Sequence, residues 1–313
     1  MAETNQRTAY GQTLVKLCHE NKNIVALDAD LGGSTMGKMV ELDPEIAERH
    51  IEMGIAEANM ASTAGGLARA GKIPFISSFA VFAGGRAYDQ IRQSIAIGKL
   101  NVKICGSSAG CSDFGDGATH QSVDDIAYMR VIPNMQVFVP ADANETVAVV
   151  NYMAENKGPM YIRVNRNPYD NVTPEDAKFV PGEPVVLKEG SDVAIFACGV
   201  MVTKALEAAK ALEGKISVKV VNVCSIKPLN EDSVAKIAKS VKKGVVTAEE
   251  HSVIGGLGST IAEALRLERT PIEFVGVNDT FGSSAHNYND ILNYLGLTTE
   301  HIIEAVEKIN SLS

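Results

Sequence analysis

The eight residues FGDGATHQ at positions 114–121 place two acid–base side chains, Asp116 and His120, in one Gly-rich turn. The turn follows a strand-like run, NVKICGSS, and precedes a helix-like run, SVDDIAYMRVI. Ligands of open α/β sheets bind at the carboxyl ends of the strands, which makes His120 a candidate for proton transfer. A lone histidine in a polar loop is also compatible with a purely structural role.

The triplet Gly115, Asp116 and Gly117 could also begin a magnesium–diphosphate motif. Magnesium requires an octahedron of oxygen ligands, so such a motif needs further oxygen-bearing side chains downstream. The segment VPADANET offers Asn144 beside Glu145 and lacks the expected pair of asparagines. We therefore interpret the triplet as a turn.

Glu57 lies near the start of a predicted helix rich in Ala, Gly, Ser and Thr. A carboxylate there is stabilised by the helix dipole, which would explain it without any function. Burial among Ala and Met side chains would instead favour the protonated form, which can share a proton with a ring nitrogen. Phe79 and Phe82, three apart after a strand, predict either core packing or a stacking face for a flat ring.

Arg7 precedes the first predicted helix, and Arg166 ends the strand MYIRVNR. Taken singly, each arginine is compatible with a solvated surface charge. The segment GGLGST at 255–260 does not match GxGxxG, and we interpret it as a tight turn that opens a helix.

Short apolar strands alternate with amphipathic helices along the chain, which predicts an α/β fold. Pro, Gly and charged residues cluster at 168–190, where we predict a linker. We expect two domains, residues 1–175 and 176–313, each a mostly parallel sheet flanked by helices. Asn230 is a predicted helix N-cap in the second domain.

Composition limits the class of protein. The 313 residues are 45% hydrophobic and 21% charged with a net charge of −9, which argues against a general nucleic-acid surface. The apolar stretch around VAIFACGVMV is too short to span a bilayer, and the N-terminal residues lack an apolar signal core. The five cysteines form no CxxC and are expected as buried thiols in a reducing cytoplasm.

Four segments together resemble the transketolase family, specifically its middle and C-terminal domains. FGDGATHQSVDDIAYMRVIPNMQVFVPADANE resembles that family's GEDGPTHQ…LR.IPN…RPAD segment, and MGIAEANM resembles its GIREHxM segment. DADLGGS is similar to SADLTxS, and TFGSSA is similar to xFGASG. The resemblance extends from about Arg7 to the C-terminus in the same order.

The resemblance implies a pyrimidine-binding domain followed by a smaller transketolase C-terminal-like domain. The family's N-terminal domain, which carries the diphosphate of the cofactor and Mg²⁺, has no counterpart in this sequence. The chain therefore resembles one subunit of a split enzyme that needs an N-terminal-half partner, with two copies of each chain in a heterotetramer. The implied reaction moves a two-carbon ketol unit from a ketose with an anionic end to an aldose.

The resemblance also assigns residues to the cofactor, thiamine diphosphate. Glu57 matches the glutamate that holds pyrimidine N1′ and promotes the imino tautomer, while Phe79 and Phe82 match rings that pack on the pyrimidine. Asp30 matches a residue near the cofactor. Gly85 departs from the family, because a third aromatic residue is expected at its position.

The substrate residues are implied in the same way. His120 matches a residue near the reacting C1 and C2 oxygens, and Asp116 matches one that binds a donor hydroxyl. Arg7, Ser34 and Arg166 match positions that hold the distal phosphate, a task suited to arginine.

One departure concerns the distal anion. Ser108, twelve positions before His120, stands where the family usually has a histidine that helps bind phosphate. The two arginines could hold a phosphate or another anion such as a sulfonate, so the exact donor and acceptor stay open.

Three other functions are compatible with parts of the sequence. The β subunit of a 2-oxoacid dehydrogenase also shares a cofactor site between chains, but pyruvate-like acids have no distal phosphate for the two arginines to hold. RAYDQIRQ is similar to a segment of deoxyxylulose-phosphate synthase, normally a single chain. A non-catalytic assembly subunit would not need Glu57 or His120.

Overall fold

The computed structural model describes residues 5–31 and 40–312, which fold around two β-sheets. Within these residues the first sheet has seven strands, β1 (Ile24–Asp28), β2 (His50–Glu52), β3 (Ile73–Phe79), β4 (Lys103–Ser107), β5 (Gln136–Phe138), β6 (Met160–Arg163) and β10 (Ser225–Lys227). Their order is β10-β5-β6-β4-β3-β1-β2, and only the pair of β10 and β5 is antiparallel. Strands β1 and β4 are buried along their whole length, as expected for a parallel sheet covered on both faces.

The second sheet is built from the later part of the described chain. Its strands are β7 (Val185–Lys188), β8 (Val193–Ala197), β9 (Val218–Asn222), β11 (Gly244–Ser252) and β12 (Ile272–Val277). The order is β12-β11-β8-β9-β7, with β7 and β9 antiparallel and the other pairs parallel. Two mostly parallel sheets confirm the predicted fold class.

Helices pack on both sheets. Those of the first part are α1 (Gln6–Glu20), α2 (Glu57–Arg69), α3 (Tyr88–Gln90), α4 (Asp125–Arg130) and α5 (Ala143–Glu155). Those of the second part are α6 (Met201–Ala211), α7 (Glu231–Lys239), α8 (Leu257–Ala264), α9 (Tyr288–Tyr294) and α10 (Thr299–Ser311). The short α3 continues directly into the π-helical turn Ile91–Ala96, and Ala87 separates it from an earlier π-helical turn, Val81–Arg86. Asn230 caps α7 as predicted, since its side chain accepts a hydrogen bond of 3.1 Å from the Ser233 amide.

Two features differ from the sequence prediction. The predicted linker at 168–190 is too long, because Val185–Lys188 forms β7 and pairs with β9. Strand β10 comes from the second half of the sequence, but it pairs with β5 of the first sheet. Both strands are short and carry polar residues, so neither has a clear alternating pattern. The domain boundary between residues 175 and 176 stays a prediction.

The carboxyl ends of four neighbouring strands bring the sequence candidates to one edge of the first sheet. Strands β6, β4, β3 and β1 are adjacent and parallel. Arg166 follows β6, Ser108 follows β4, Phe79 ends β3, and Asp30 follows β1. The fold therefore collects these residues where open α/β sheets bind their ligands.

A buried arginine joins this edge to the second sheet. Arg163, at the end of β6, donates from Nε to both carboxylate oxygens of Asp125, at 3.0 and 2.9 Å. Its Nη2 donates to the main-chain oxygen of Glu250 in β11 at 2.7 Å. The Glu250 carboxylate accepts hydrogen bonds from the Cys111 amide at 2.9 Å and the Tyr288 hydroxyl at 2.8 Å. These contacts cross between the two sheets and fix the loop after β4.

Two further sequence expectations concern the thiols and the membrane. All five cysteines are buried and free, which confirms that part of the prediction. No helix among residues 5–31 and 40–312 has the length and apolar character needed to cross a bilayer.

His251, in β11, is held as a neutral ring. Its Nδ1 donates to the main-chain oxygen of Ser252 at 2.7 Å, and its Nε2 accepts from the Ala127 amide of α4 at 3.3 Å. Burial lowers the pKa of His251 to about 4. On protonation, Nε2 could no longer accept the hydrogen bond from Ala127, and the ring would carry a positive charge in the protein interior.

Stability should consequently fall in acid. The folded pKa of His251 lies below its ordinary value, so its contribution is full above about pH 6.5 and is lost as the pH falls toward about 4. Between pH 7 and pH 5 the free energy of unfolding should drop by about 2 kcal/mol more in the wild type than in His251→Gln. Urea denaturation of both proteins at the two pH values measures this difference, and titrations of groups that do not contact His251 cancel. An equal drop in the free energy of unfolding in both proteins would contradict this role of His251.

Candidate active site

Two phenylalanine rings are stacked at the carboxyl end of β3. Phe79 ends the strand and Phe82 lies in the following π-helical turn, with ring centroids 6.1 Å apart and planes inclined by 14°. A Cβ at Gly84 would lie 2.6 Å from the ring of Tyr128, so glycine permits this close approach. The Tyr128 hydroxyl donates to the Ala80 oxygen at 3.1 Å, which fixes the turn that carries Phe82.

Glu57 is the buried carboxylate of this site. It lies in the first turn of α2, where the helix dipole stabilises negative charge, and only 2% of it is exposed. Arg86 Nη1 donates to both of its carboxylate oxygens at 3.0 Å. The Arg86 guanidinium also lies 4.3 Å from the centroid of Phe82, a cation–π contact. Arg86 therefore bridges the carboxylate and the aromatic pair.

His120 faces the same aromatic pair. Its ring is edge-on to Phe82 at 5.3 Å and to Phe79 at 6.3 Å between centroids. Thr119 Oγ1 lies 2.9 Å from His120 Nδ1, so the other ring nitrogen is available for a substrate. The structure thus brings Glu57, Phe79, Phe82 and His120 together around one space.

Two arginines meet the loop after β4. Arg7 Nη1 donates to the hydroxyl of Ser108 at 3.4 Å, a long hydrogen bond. Arg166 Nη1 donates to the carboxylate of Asp113 at 2.6 Å. Ser108 is buried and has a φ of +49°, a strained backbone conformation for a residue with a side chain. Together these residues form the candidate anion-binding part of the site.

Three sequence candidates have a less defined place. Asp30 follows β1 with a φ of +55°, and its amide donates to Glu52 Oε1 at 2.8 Å. Asp116 is exposed at the start of the turn Gly117–Thr119, so its contact with a substrate hydroxyl stays a prediction. Ser34 lies outside the described residues.

The TFGSSA segment approaches the His120 loop from the second domain. Gln121 Nε2 donates to the oxygens of Asp113 at 3.1 Å and Ser283 at 3.0 Å. A cleft of about 270 Å³ lies beside this contact, lined in part by Asp124 and Phe281. Both domains therefore border the candidate site.

Sequence reasoning missed two charged residues of the site, Arg86 and Asp113. Arg86 is four residues after Phe82, a spacing that places two side chains on one face of a helical segment. Asp113 lies in the loop between Ser108 and Asp116, where a polar residue is unremarkable. Within residues 5–31 and 40–312, no group of three or more His, Cys, Asp or Glu side chains is arranged to hold a metal ion.

Two family profiles match the chain. Residues 2–171 match the pyrimidine binding domain of transketolase, and residues 182–302 match the transketolase C-terminal domain. The chain belongs to the transketolase family. This confirms the resemblance found in the sequence and identifies the chain as a transketolase-like subunit.

Several relatives of this transketolase subunit have a similar length. It is 43% identical over 307 residues to a putative transketolase C-terminal section of Methanocaldococcus jannaschii, covering 96% of this chain and 94% of that one. It is 41% identical over 310 residues to a 6-deoxy-6-sulfo-D-fructose transketolase subunit of Clostridium sp. (strain MSTE9), covering 97% and 94%. A solved structure described as a split gene transketolase, inactive β4 tetramer, has a TM-score of 0.89 and 48% identity, covering 98% and 99%.

The contact between Glu57 and Arg86 can be tested in this transketolase subunit alone. Arg86→Gln leaves a buried carboxylate without its cation and should lower the free energy of unfolding by about 1–2 kcal/mol, since half of the arginine is solvated. In a Glu57→Gln background the same change should cost less than about 0.5 kcal/mol.

Urea denaturation of the four proteins gives the coupling. Arg92→Gln is a matched control, because Arg92 is exposed on the next π-helical turn and its loss should change stability by less than about 0.5 kcal/mol. Equal effects of Arg86→Gln in both backgrounds would show that the two side chains do not interact.

Proposed function

We propose that this transketolase subunit forms the aminopyrimidine side of a thiamine-diphosphate-dependent active site. The complete enzyme would transfer a two-carbon ketol unit from a ketose to an aldose. The observation that carries the proposal is the buried Glu57 carboxylate beside the stacked rings of Phe79 and Phe82, with His120 edge-on to both.

The residues present fit a flat nitrogen heterocycle. The guanidinium of Arg86 is itself a planar group with N–H donors, and it both lies over the Phe82 ring and donates to Glu57. An aminopyrimidine needs the same two partners, an aromatic face and a carboxyl group. Arg86 would therefore have to leave Glu57 when the cofactor binds.

Each side chain of this group would have one task. Thiamine diphosphate, when bound, supplies the carbanion chemistry of the reaction. Glu57 would hold and exchange the proton at pyrimidine N1′, because its buried carboxylate lies beside the stacked rings that would hold the pyrimidine. Phe79 and Phe82 would hold the ring and exclude water from it, and Asp30 would lie near the cofactor.

The loop at 114–121 would act on the sugar. His120 would hold and transfer protons at the oxygens of the reacting carbons, with Thr119 fixing its ring through Nδ1. Asp116 would bind a hydroxyl of the donor. Arg7 and Arg166, with Ser34, would bind the anionic end of the substrate.

A partner chain would complete the enzyme. The two matched profiles correspond to the pyrimidine-binding and C-terminal domains, so we propose that an N-terminal-half subunit holds the diphosphate and Mg²⁺. The similar split gene transketolase is described as an inactive β4 tetramer. By analogy, our subunit would be active as a heterotetramer with two copies of each chain.

Reconstitution tests the proposal. The chain is mixed with an N-terminal-half transketolase subunit from the same genome, Mg²⁺ and thiamine diphosphate, and two-carbon transfer from xylulose 5-phosphate to ribose 5-phosphate is measured. Because substrate range is open, a sulfonated and an uncharged ketose are assayed as donors in parallel. Transfer only in the mixture supports the proposal. Carbon dioxide from pyruvate without transfer would favour the 2-oxoacid dehydrogenase alternative.

Glu57→Gln should lower kcat of the reconstituted enzyme at least about 100-fold, because the carboxyl group can no longer exchange its proton. Assembly with the partner, measured by analytical ultracentrifugation, should be unchanged. Glu155→Gln is the matched control, since Glu155 is exposed at the end of α5 and should leave kcat unaltered. Undiminished turnover by Glu57→Gln would exclude the proposed role.

A further inference from the structure

The anion-binding part of the site contains a carboxylate. Asp113 is only 3% exposed, and its side chain accepts a 2.6 Å hydrogen bond from Arg166 Nη1. Arg166 itself is one-third exposed, so it borders the open side of the site. A buried carboxylate thus lies directly behind one of the two arginines that would receive a substrate anion.

The two arginines lie close enough to repel each other. Burial lowers the pKa of Arg7, and the second cause is the charge of Arg166, while the charge of Asp113 acts in the opposite direction. An arginine stays protonated in proteins, so each guanidinium carries one positive charge. With Ser108 neutral, the described residues that meet here, Arg7, Arg166 and Asp113, sum to a net charge of +1.

The loop that carries Asp113 is held at several points. The Asp113 main-chain oxygen accepts from Gln121 at 3.1 Å, the Ser112 oxygen accepts from Asn167 at 2.9 Å, and the Cys111 amide donates to Glu250 at 2.9 Å. Asp113 is therefore not free to swing away when an anion arrives. Its charge is a fixed part of the pocket.

A net charge of +1 suits a singly charged ligand. A phosphate ester at neutral pH carries two negative charges, and the pocket's net charge of +1 would balance only one of them. The second charge would be repelled by the Asp113 carboxylate at low dielectric. A sulfonate or carboxylate would be compensated fully. An uncharged end would leave the desolvated Arg7 without an anion.

We propose that Asp113 is a specificity-determining residue that makes this subunit select a ketose whose distal carbon carries a singly charged anion. Asp113 acts through Arg166, whose charge it neutralises in part. The inference rests on the proposed ketol transfer and on the role of Arg7 and Arg166 in binding the distal end.

The reconstituted enzyme tests the selection with three donors that differ only at the distal carbon. These are fructose 6-phosphate, its 6-deoxy-6-sulfo analogue and fructose, assayed at pH 7.5 where the phosphate is mostly doubly charged. The wild type should have the highest kcat/KM for the sulfonate. Asp113→Asn should raise the ratio of phosphate to sulfonate kcat/KM about 10-fold or more, mainly through KM, because a repelling charge is removed.

Asp170→Asn is the matched control, because it makes the same change in net charge at an exposed position four residues after Arg166 in the sequence. It should leave the ratio unchanged. A wild type that prefers the phosphate would overturn the inference. The inference would also be overturned if the ratio of phosphate to sulfonate kcat/KM were the same in Asp113→Asn and the wild type. The same holds if Asp170→Asn changed that ratio as much as Asp113→Asn does.

Anion binding to the subunit alone separates this inference from the proposed function. Methanesulfonate and methyl phosphate are titrated into the wild type and Asp113→Asn, and binding is followed by NMR of the arginine Nε–H groups. The wild type should bind methanesulfonate more tightly, and Asp113→Asn should reverse or equalise the preference. If transfer fails with all three donors, the proposed function fails, while this titration still decides the charge selectivity. Tighter binding of methyl phosphate by the wild type would overturn the inference.

Discussion

The buried Arg163 is the constraint on which the site depends. It holds Asp125 through Nε and reaches Ser122 and Glu250 through Nη2, so the first sheet, the loop after β4 and strand β11 meet at one guanidinium. The charge of Asp125 raises the pKa of Arg163 despite burial. Removing one partner of such a buried pair typically costs about 3–5 kcal/mol, since it leaves an uncompensated charge. Ser108, Asp113, Asp116 and His120 all belong to the loop that these contacts fix.

The site itself is organised around two arginine–carboxylate pairs with different consequences. Arg86 and Glu57 are joined by one Nη atom, and half of the arginine is exposed, so a ligand with a flat face and a nitrogen donor can replace it. Arg166 and Asp113 are joined beside a loop that is tethered to both domains, so their pairing persists and sets the charge of the pocket. In the function that we propose, the first pair would concern the cofactor, and the second would concern the far end of the substrate.

The sequence predicted the fold class, the cysteine state and most strands, because strands of parallel sheets covered on both faces are apolar runs, such as VAIFA in β8. It also placed Phe79 next to a strand end and His120 in a Gly-rich turn after a strand, because turns and glycines are visible in a sequence. It could not predict β10, a three-residue strand whose pairing with β5 depends on tertiary contacts. Nor could it predict the partners of Arg86 or Asp113, because a charged residue in a helix or loop is usually solvated, and only packing reveals a buried counter-ion.

The most direct test of this account is a crystal structure of the subunit bound to its partner chain and thiamine diphosphate. The account predicts the aminopyrimidine ring against Phe82, its N1′ within hydrogen-bond distance of Glu57, and Arg86 turned away from the carboxylate. A cofactor bound elsewhere, with Arg86 still donating to both oxygens of Glu57, would contradict it.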